Sequence, residues 1–375
     1  MDCQIGIWEK WTVSVFCFFF RFGTCIGRNG KIWKGVVCVS IRRKGILFVV
    51  AMLTLCRALL PGCAQAAAKP AAIRTAAQLQ TAINLCRGSA EFCLEADLEL
   101  DGPLCIYGDQ EICLRGGAAG ASLVRASGYA GPLVQVSPGG SLRLEGLCLE
   151  GGGQEAAEGA EALVVLQEGS ELVLGQGTAL QNNRRTLGGA APSLGGGVYG
   201  ESATVRLEGG VVRGCAADQG GGVYLAGASR LSLREGGLQG NQAEQGGGAY
   251  MAGYGAAAEV ELLGGELTDN RARREGGALF ADGQYGDSVR LALGGGIRVE
   301  GNEAAEEAGN LRLEGLWLPV ELRGPLTGKV CLELPERGWP ETLAQGAEGY
   351  APDAQDARAL AVDGGGYVLR AGEWG

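Results

Sequence analysis

From Phe92 to Gly324 apolar residues alternate with polar or small ones in short segments, and none of these segments carries helical spacing. The segments recur as a unit. Gly195-Gly196-Gly197-Val198-Tyr199, Gly220-Gly221-Gly222-Val223-Tyr224 and Gly246-Gly247-Gly248-Ala249-Tyr250 are followed by a weaker copy, Glu275-Gly276-Gly277-Ala278-Leu279, and a decayed one, Ala308-Gly309-Asn310-Leu311. Their spacings are 25, 26, 29 and about 33 residues. Between these marks come an alternating pair (Val205/Leu207, Leu231/Leu233, Val260/Leu262, Val289/Leu291) and a glycine pair such as Gly236-Gly237. An aliphatic residue three before an asparagine closes each unit: Leu180/Asn183, Leu238/Asn241, Leu267/Asn270 and Val299/Asn302, with Cys215 in the asparagine's place after Val212. A single unit of this kind cannot bury its apolar face, whereas stacked units form one continuous core. The pattern predicts an all-β chain, a right-handed parallel β-helix with three strands per coil of about 25–30 residues. A propeller blade needs roughly 40 residues, more than these repeats hold.

Gly197, Gly222 and Gly248 are expected in the turns, where a missing Cβ permits positive φ and close approach of the next coil. Asn183, Asn241, Asn270 and Asn302 are expected to stack, the amides bonding from coil to coil, because asparagine tolerates the left-handed region. Tyr199, Tyr224 and Tyr250 recur in register and predict a ring ladder. Facing inward it belongs to the core, the reading favoured here; facing outward it would form a carbohydrate platform.

Upstream the strands continue with fewer glycines, as in Leu104-Cys105-Ile106 and Ile112-Cys113-Leu114. Before them Thr75 and Gln78 suggest a capping box, with Ala76, Leu79, Ala82 and Ile83 on one face. Residues 70–87 therefore read as an N-terminal helix closing the open end of a stack over 88–324. The tail, 325–375, loses the repeat and reads as a last coil and a C-terminal cap.

Composition divides the chain. Residues 1–63 carry 9 basic and 2 acidic side chains, the remainder 23 and 40, so a segment at +7 precedes one at −17. Arg42, Arg43 and Lys44 lead into an apolar stretch from Gly45 to Cys56 and small residues through Ala68. This is the layout of a secretory signal peptide over 45–68 with an exit at Ala64-Gln65-Ala66 or Ala66-Ala67-Ala68. A buried helix of a soluble domain is the alternative. Leu60-Pro61-Gly62-Cys63 half-matches a bacterial lipobox, which makes Cys63 the candidate lipidation site, although Pro61 and Arg57 depart from that pattern. Residues 1–44 read as an upstream extension without expected structure, the product of a start codon placed too early. The runner-up is a first hydrophobic segment at Val13–Phe20.

Gly276-Gly277-Ala278-Leu279, the three Gly-Gly-Gly runs and the aliphatic-x-x-Asn set resemble the repeats of chlamydial polymorphic outer-membrane proteins. More widely, they resemble the right-handed β-helix repeat proteins of bacterial cell surfaces. The likeness covers roughly 75–324. Leu or Val stands here where those repeats usually carry Phe, and no autotransporter barrel of alternating strands follows. The resemblance implies an exported surface protein, in a group spanning adhesins, passengers, lyases and tailspikes.

The chain has no histidine, which excludes Ser-His-Asp and Cys-His nucleophilic sites and most zinc sites. The acidic balance argues against nucleic acid as a partner. Seven cysteines follow the signal region: Cys86, Cys93, Cys105, Cys113, Cys148, Cys215 and Cys331. Four of them sit between inward-pointing apolar neighbours and are expected to face outward as small filler residues, a Cys86–Cys93 bridge being the alternative. A lyase would need an arginine base beside acids, for which Arg184-Arg185 or Arg273-Arg274 with Asp269, Asp282 or Asp287 are the candidates. The loop Asp282–Asp287 is a candidate Ca²⁺ site, without the alternating ligands of an EF-hand; otherwise no cofactor is expected. The function expected is that of an exported bacterial cell-surface module, adhesin or scaffold. Its partner would be a host or cell-surface polymer or protein, carbohydrate included, with membrane contact only through a lipid anchor at Cys63. A polysaccharide lyase or glycoside hydrolase on the same fold is the alternative, and a phage tailspike a third.

Overall fold

A computed structural model describes residues 24–26, 32–34, 73–118, 120–153, 160–185, 187–283, 289–305, 307–314, 319–333 and 342–363. The chain divides into two compact units, Met1–Lys69 and Pro70–Gly375. In the first, Thr24–Ile26 pairs antiparallel with Ile32–Lys34. The expected signal peptide at 45–68, Cys63 and the Val13–Phe20 segment lie outside the described residues.

The second unit is a parallel β-helix. Each coil passes through three faces in turn, as Gly88–Leu94, Leu98–Leu100 and Leu104–Ile106 do at the start. Coils then stack strand on strand: the third face alone runs through ten strands among the described residues, from Leu104–Ile106 to Leu360–Asp363. Registration is set by the inward positions. On the first face Ile112, Leu142, Leu172, Val205, Leu231, Val260 and Leu291 follow one another as direct partners, all buried. Slipping one residue would turn that column out to solvent, at about 1.5–3 kcal/mol for each aliphatic side chain exposed.

The middle coils add a short fourth ladder, Gln242–Gln245, Arg271–Glu275 and Glu303–Ala304, which three strands per coil did not foresee. Its inward column is alanine: Ala243, Ala272 and Ala304, each buried. Side chains this small allow the coil to be narrow at that corner.

Helix α1, Ala76–Leu85, closes the N-terminal end with Leu79 and Ile83 buried. The Thr75 hydroxyl accepts from the Gln78 N–H at 3.2 Å, but the Gln78 side chain accepts from Arg74 N–H and not from Thr75, so the box is only half formed. At the other end α2, Ala354–Ala359, begins with a complete box between Asp353 and Asp356. Asp356 is 2% exposed and accepts from Leu326 N–H at 2.8 Å, Asp353 N–H at 2.8 Å and the Tyr350 hydroxyl at 2.5 Å. Burial pushes its carboxyl up, yet these donors outweigh it and hold the pKa below the usual carboxylate range. A depressed folded-state pKa contributes stability that is complete above the unfolded value, about 3.9, and lost as pH falls through the folded one. The C-terminal cap should therefore begin to loosen only below about pH 3.9, as acid protonates Asp356. Amide hydrogen exchange in Leu360–Val362 at pH 3 and pH 6 checks this. Protection factors should be lower at pH 3 than at pH 6 in wild type, and in Asp356→Asn should already be weak at pH 6.

Candidate functional site

Asn241, Asn270 and Asn302 are 0–3% exposed and form a continuous amide ladder inside the coil. The Oδ1 of Asn270 accepts both the backbone N–H and the side-chain Nδ2–H of Asn241, each at 3.0 Å; Asn302 repeats this for Asn270. Each Nδ2 also donates to the aliphatic residue of the preceding coil, Val212, Leu238 or Leu267, at 2.8–2.9 Å. That explains the aliphatic-x-x-Asn spacing. The left-handed backbone is not at these asparagines, contrary to expectation. It falls one residue earlier, at Asn182, Gly214, Gly240, Asp269 and Gly301, with φ from 56° to 68°.

Cys215 interrupts the ladder. Its N–H donates to Asn241 Oδ1 at 3.0 Å, and burial pushes its thiol up to about 12 despite the Asn183 N–H directed at the sulfur. Asn183 sits beyond the break, donating to Gly196 and Glu161 carbonyls, with its own buried Oδ1 unpartnered. Cys215→Asn should restore an acceptor for Asn183 and a donor toward Asn241, raising stability by about 1 kcal/mol. An increase in the urea midpoint checks this.

The tyrosines are not in that core. Val198, Val223, Ala249 and Leu279 point into the coil, and the next residue of each strand lies on the opposite side of the sheet in a separate apolar cluster. Tyr199, Tyr224 and Tyr250 stack there with centroids 5.7 and 5.4 Å apart, and Phe280 adds a fourth ring at 5.1 Å. Tyr224, Tyr250 and Phe280 are nonetheless 2–3% exposed. The ladder is thus neither the expected inner core nor an open platform, because each ring face covers the next. Leu194 packs against it, and Asp218 holds the segment carrying Leu194, accepting from Gly188 N–H, Ser193 N–H and the Ser193 hydroxyl at 2.7–2.8 Å. Tyr250 donates to Asp282 at 2.6 Å and Tyr199 to Glu201 at 2.5 Å. Burial, reinforced by Glu201, pushes the Tyr199 hydroxyl up to about 12, and burial raises Tyr224 and Tyr250 further.

The weaker repeat aligns one residue further along than its Gly-Gly-Ala-Leu run suggests, which brings Phe280 into the ladder. Gly195, Gly220, Gly246 and Gly276 share φ of 64–68°, and the ring stands four residues after each. Ala278 consequently takes the place of Gly248, the pairing being Ala249 with Leu279 and Tyr250 with Phe280. Gly197, Gly222 and Gly248 lie just before the third-face strands: the Gly222 Cα faces the Gly248 carbonyl so closely that a Cβ would stand 2.6 Å from it.

Among the described residues the contacts of the candidate acids and arginines are separate ones. Arg273 pairs with Glu244 at 2.8 Å, Arg184 donates to Gln242, and Arg185 caps the carbonyls of Ala160 and Leu194. Asp282 accepts from Tyr250, while Asp269 is an exposed corner residue. Asp287 and most of the candidate Ca²⁺ loop lie outside the described residues. Elsewhere charges alternate between coils: Glu261, 5% exposed, is held by Arg230 and Arg323, and Arg323 also reaches Glu259 and Glu321.

Cys93, Cys105, Cys113 and Cys148 are half-buried and alternate with core residues, so they face outward. Cys113 stands beside Glu91 and Arg143, and Cys93 beside Arg115, a two-residue offset that separates the thiols. Cys86 and Cys93 are free, without the bridge considered from sequence. No family model, curated protein or solved structure matches the chain.

Proposed function

We propose that the chain is an exported bacterial cell-surface β-helix acting as an adhesin or scaffold module, with a polymer or protein of the cell or host surface as partner. The observation carrying this is the use made of the polar side chains. The arginines and acids that a lyase would gather are mostly engaged in separate local contacts, binding coil to coil or loop to coil. Stacked amides, rings and ion pairs make a stiff rod, and a stiff rod presents outward residues in fixed register over its length. Export rests on the basic and apolar layout of residues 42–68, and attachment on Cys63. The lyase reading keeps one supporting feature, the exposed Asp269 beside a shallow polar cavity with Arg213 and Gln239.

Incubation of the purified protein with polygalacturonate separates the two readings. The display reading expects no unsaturated product in the ultraviolet spectrum after prolonged incubation with calcium; product that appears and is lost in Asp269→Asn makes the protein a lyase.

A further inference from the structure

We infer that the N-terminal corner of the rod holds a binding site for a neutral saccharide, centred on Tyr107; this rests on the display reading and gives it a ligand class. A cavity of about 560 Å³ opens there, lined by Asn84, Arg87, Tyr107, Asp109 and Gln110. It is a shallow, open depression, suited to a ligand laid along the surface.

The corner is rigid. Gln110 is 2% exposed, donates to the carbonyls of Ile83 at 2.7 Å and Cys86 at 3.3 Å, and accepts the Tyr107 N–H at 2.9 Å. Gln80 fastens α1 a second time, exchanging hydrogen bonds with the Cys105 N–H and carbonyl at 2.7 and 3.0 Å. The turn is also pressed on the next coil, since a Cβ at Gly108 would stand 2.1 Å from the Pro138 carbonyl. These amides are spent on structure, so the cavity is preorganised and its rim is what remains to bind.

The rim combines an aromatic ring with opposite charges. Tyr107 is 45% exposed, unlike the stacked tyrosines, whose faces are covered. Arg87 donates through one terminal nitrogen to the Asn84 and Cys86 carbonyls, and the residue is exposed. Asp109 lines the same cavity, and no ion pair joins it to Arg87 among the described residues. A pyranose matches this set. Its C–H face lies on an aromatic ring, and each hydroxyl both donates to a carboxylate and accepts from a guanidinium. The −17 balance of residues 64–375 disfavours acidic sugars, which selects a neutral chain.

Cellohexaose and chitohexaose, both neutral β-1,4-linked pyranose chains, are titrated into the full chain by calorimetry up to about 10 mM. At least one should bind. Tyr107→Ala should weaken it about tenfold or more and Asp109→Asn at least threefold, while Tyr107→Phe stays within about threefold and the unfolding midpoint is unchanged. Absence of binding by both hexaoses, or wild-type binding by Tyr107→Ala, overturns the site. Neither result touches the display reading, which stands or falls on export and on turnover of polygalacturonate.

Discussion

Replacing Asn270 by alanine should lower the stability of the β-helix by about 3–5 kcal/mol, because each buried polar group left unsatisfied costs about 1–3 kcal/mol. Asn270 is the middle member of the ladder, 0% exposed, and its side chain closes four hydrogen bonds. Its loss strips the partner from the Asn241 N–H and from the Leu238 carbonyl at once, in a place water does not reach. Asn270→Asp is a sharper variant. It keeps the acceptor for Asn241, but loses both donors and sets a second oxygen against Asn302 Oδ1, so it should be destabilising as well, most severely above the carboxyl's pKa. Asn183→Ala is the internal comparison. That residue stands beyond the Cys215 break with Oδ1 already unpartnered, and its loss should cost less. Urea midpoints of the three variants at one pH give the ranking.

Gly221→Ala should be about as damaging, at about 3 kcal/mol or more. A Cβ at Gly221 would stand 2.3 Å from the Gln242 carbonyl oxygen and 2.5 Å from that of Gly247. Both atoms are backbone of the following coil, fixed by the strand spacing of about 4.8 Å, so no rotamer change relieves the clash. Accommodation requires the coils to part, which also loosens the Asn and Tyr ladders on either side. Gly102→Ala tests whether glycine as such matters: a Cβ there meets nothing within 4 Å, and the change should stay within about 0.5 kcal/mol. Thermal or urea unfolding of both variants distinguishes crowding from backbone entropy.

The repeating coil was legible because its determinants are local: an aliphatic residue, a turn, an asparagine three places on. The Asn241–Asn270–Asn302 stack follows from that spacing alone. Sidedness of the tyrosines was not legible, for a physical reason visible in Val223–Ala226, Ala249–Ala252 and Leu279–Asp282, where all positions are buried. Alternation reports an inside only when the other side is wet, and here a second apolar cluster covers it. Phe280 was hidden by the glycines: Gly276-Gly277 can be aligned with either half of Gly246-Gly247-Gly248, and only the shared positive φ decides between them. Tyr107 is unmarked in the sequence, because a lone tyrosine after a strand has no pattern; its prominence comes from α1 folding back beside it. The half-formed box at Thr75 shows the same limit, since sequence gives the residue types at a cap but not which N–H each side chain reaches.

A rod that displays its surface must leave the cell, so the mass of the mature protein is the most direct test of the proposed role. The full chain is expressed in a bacterium, and the envelope and medium fractions are analysed by intact mass and N-terminal sequencing. A chain beginning just after Ala66 or Ala68, or at a lipid-modified Cys63, should be recovered outside the cytoplasm. A protein that keeps residues 45–68 and stays in the cytoplasm contradicts it.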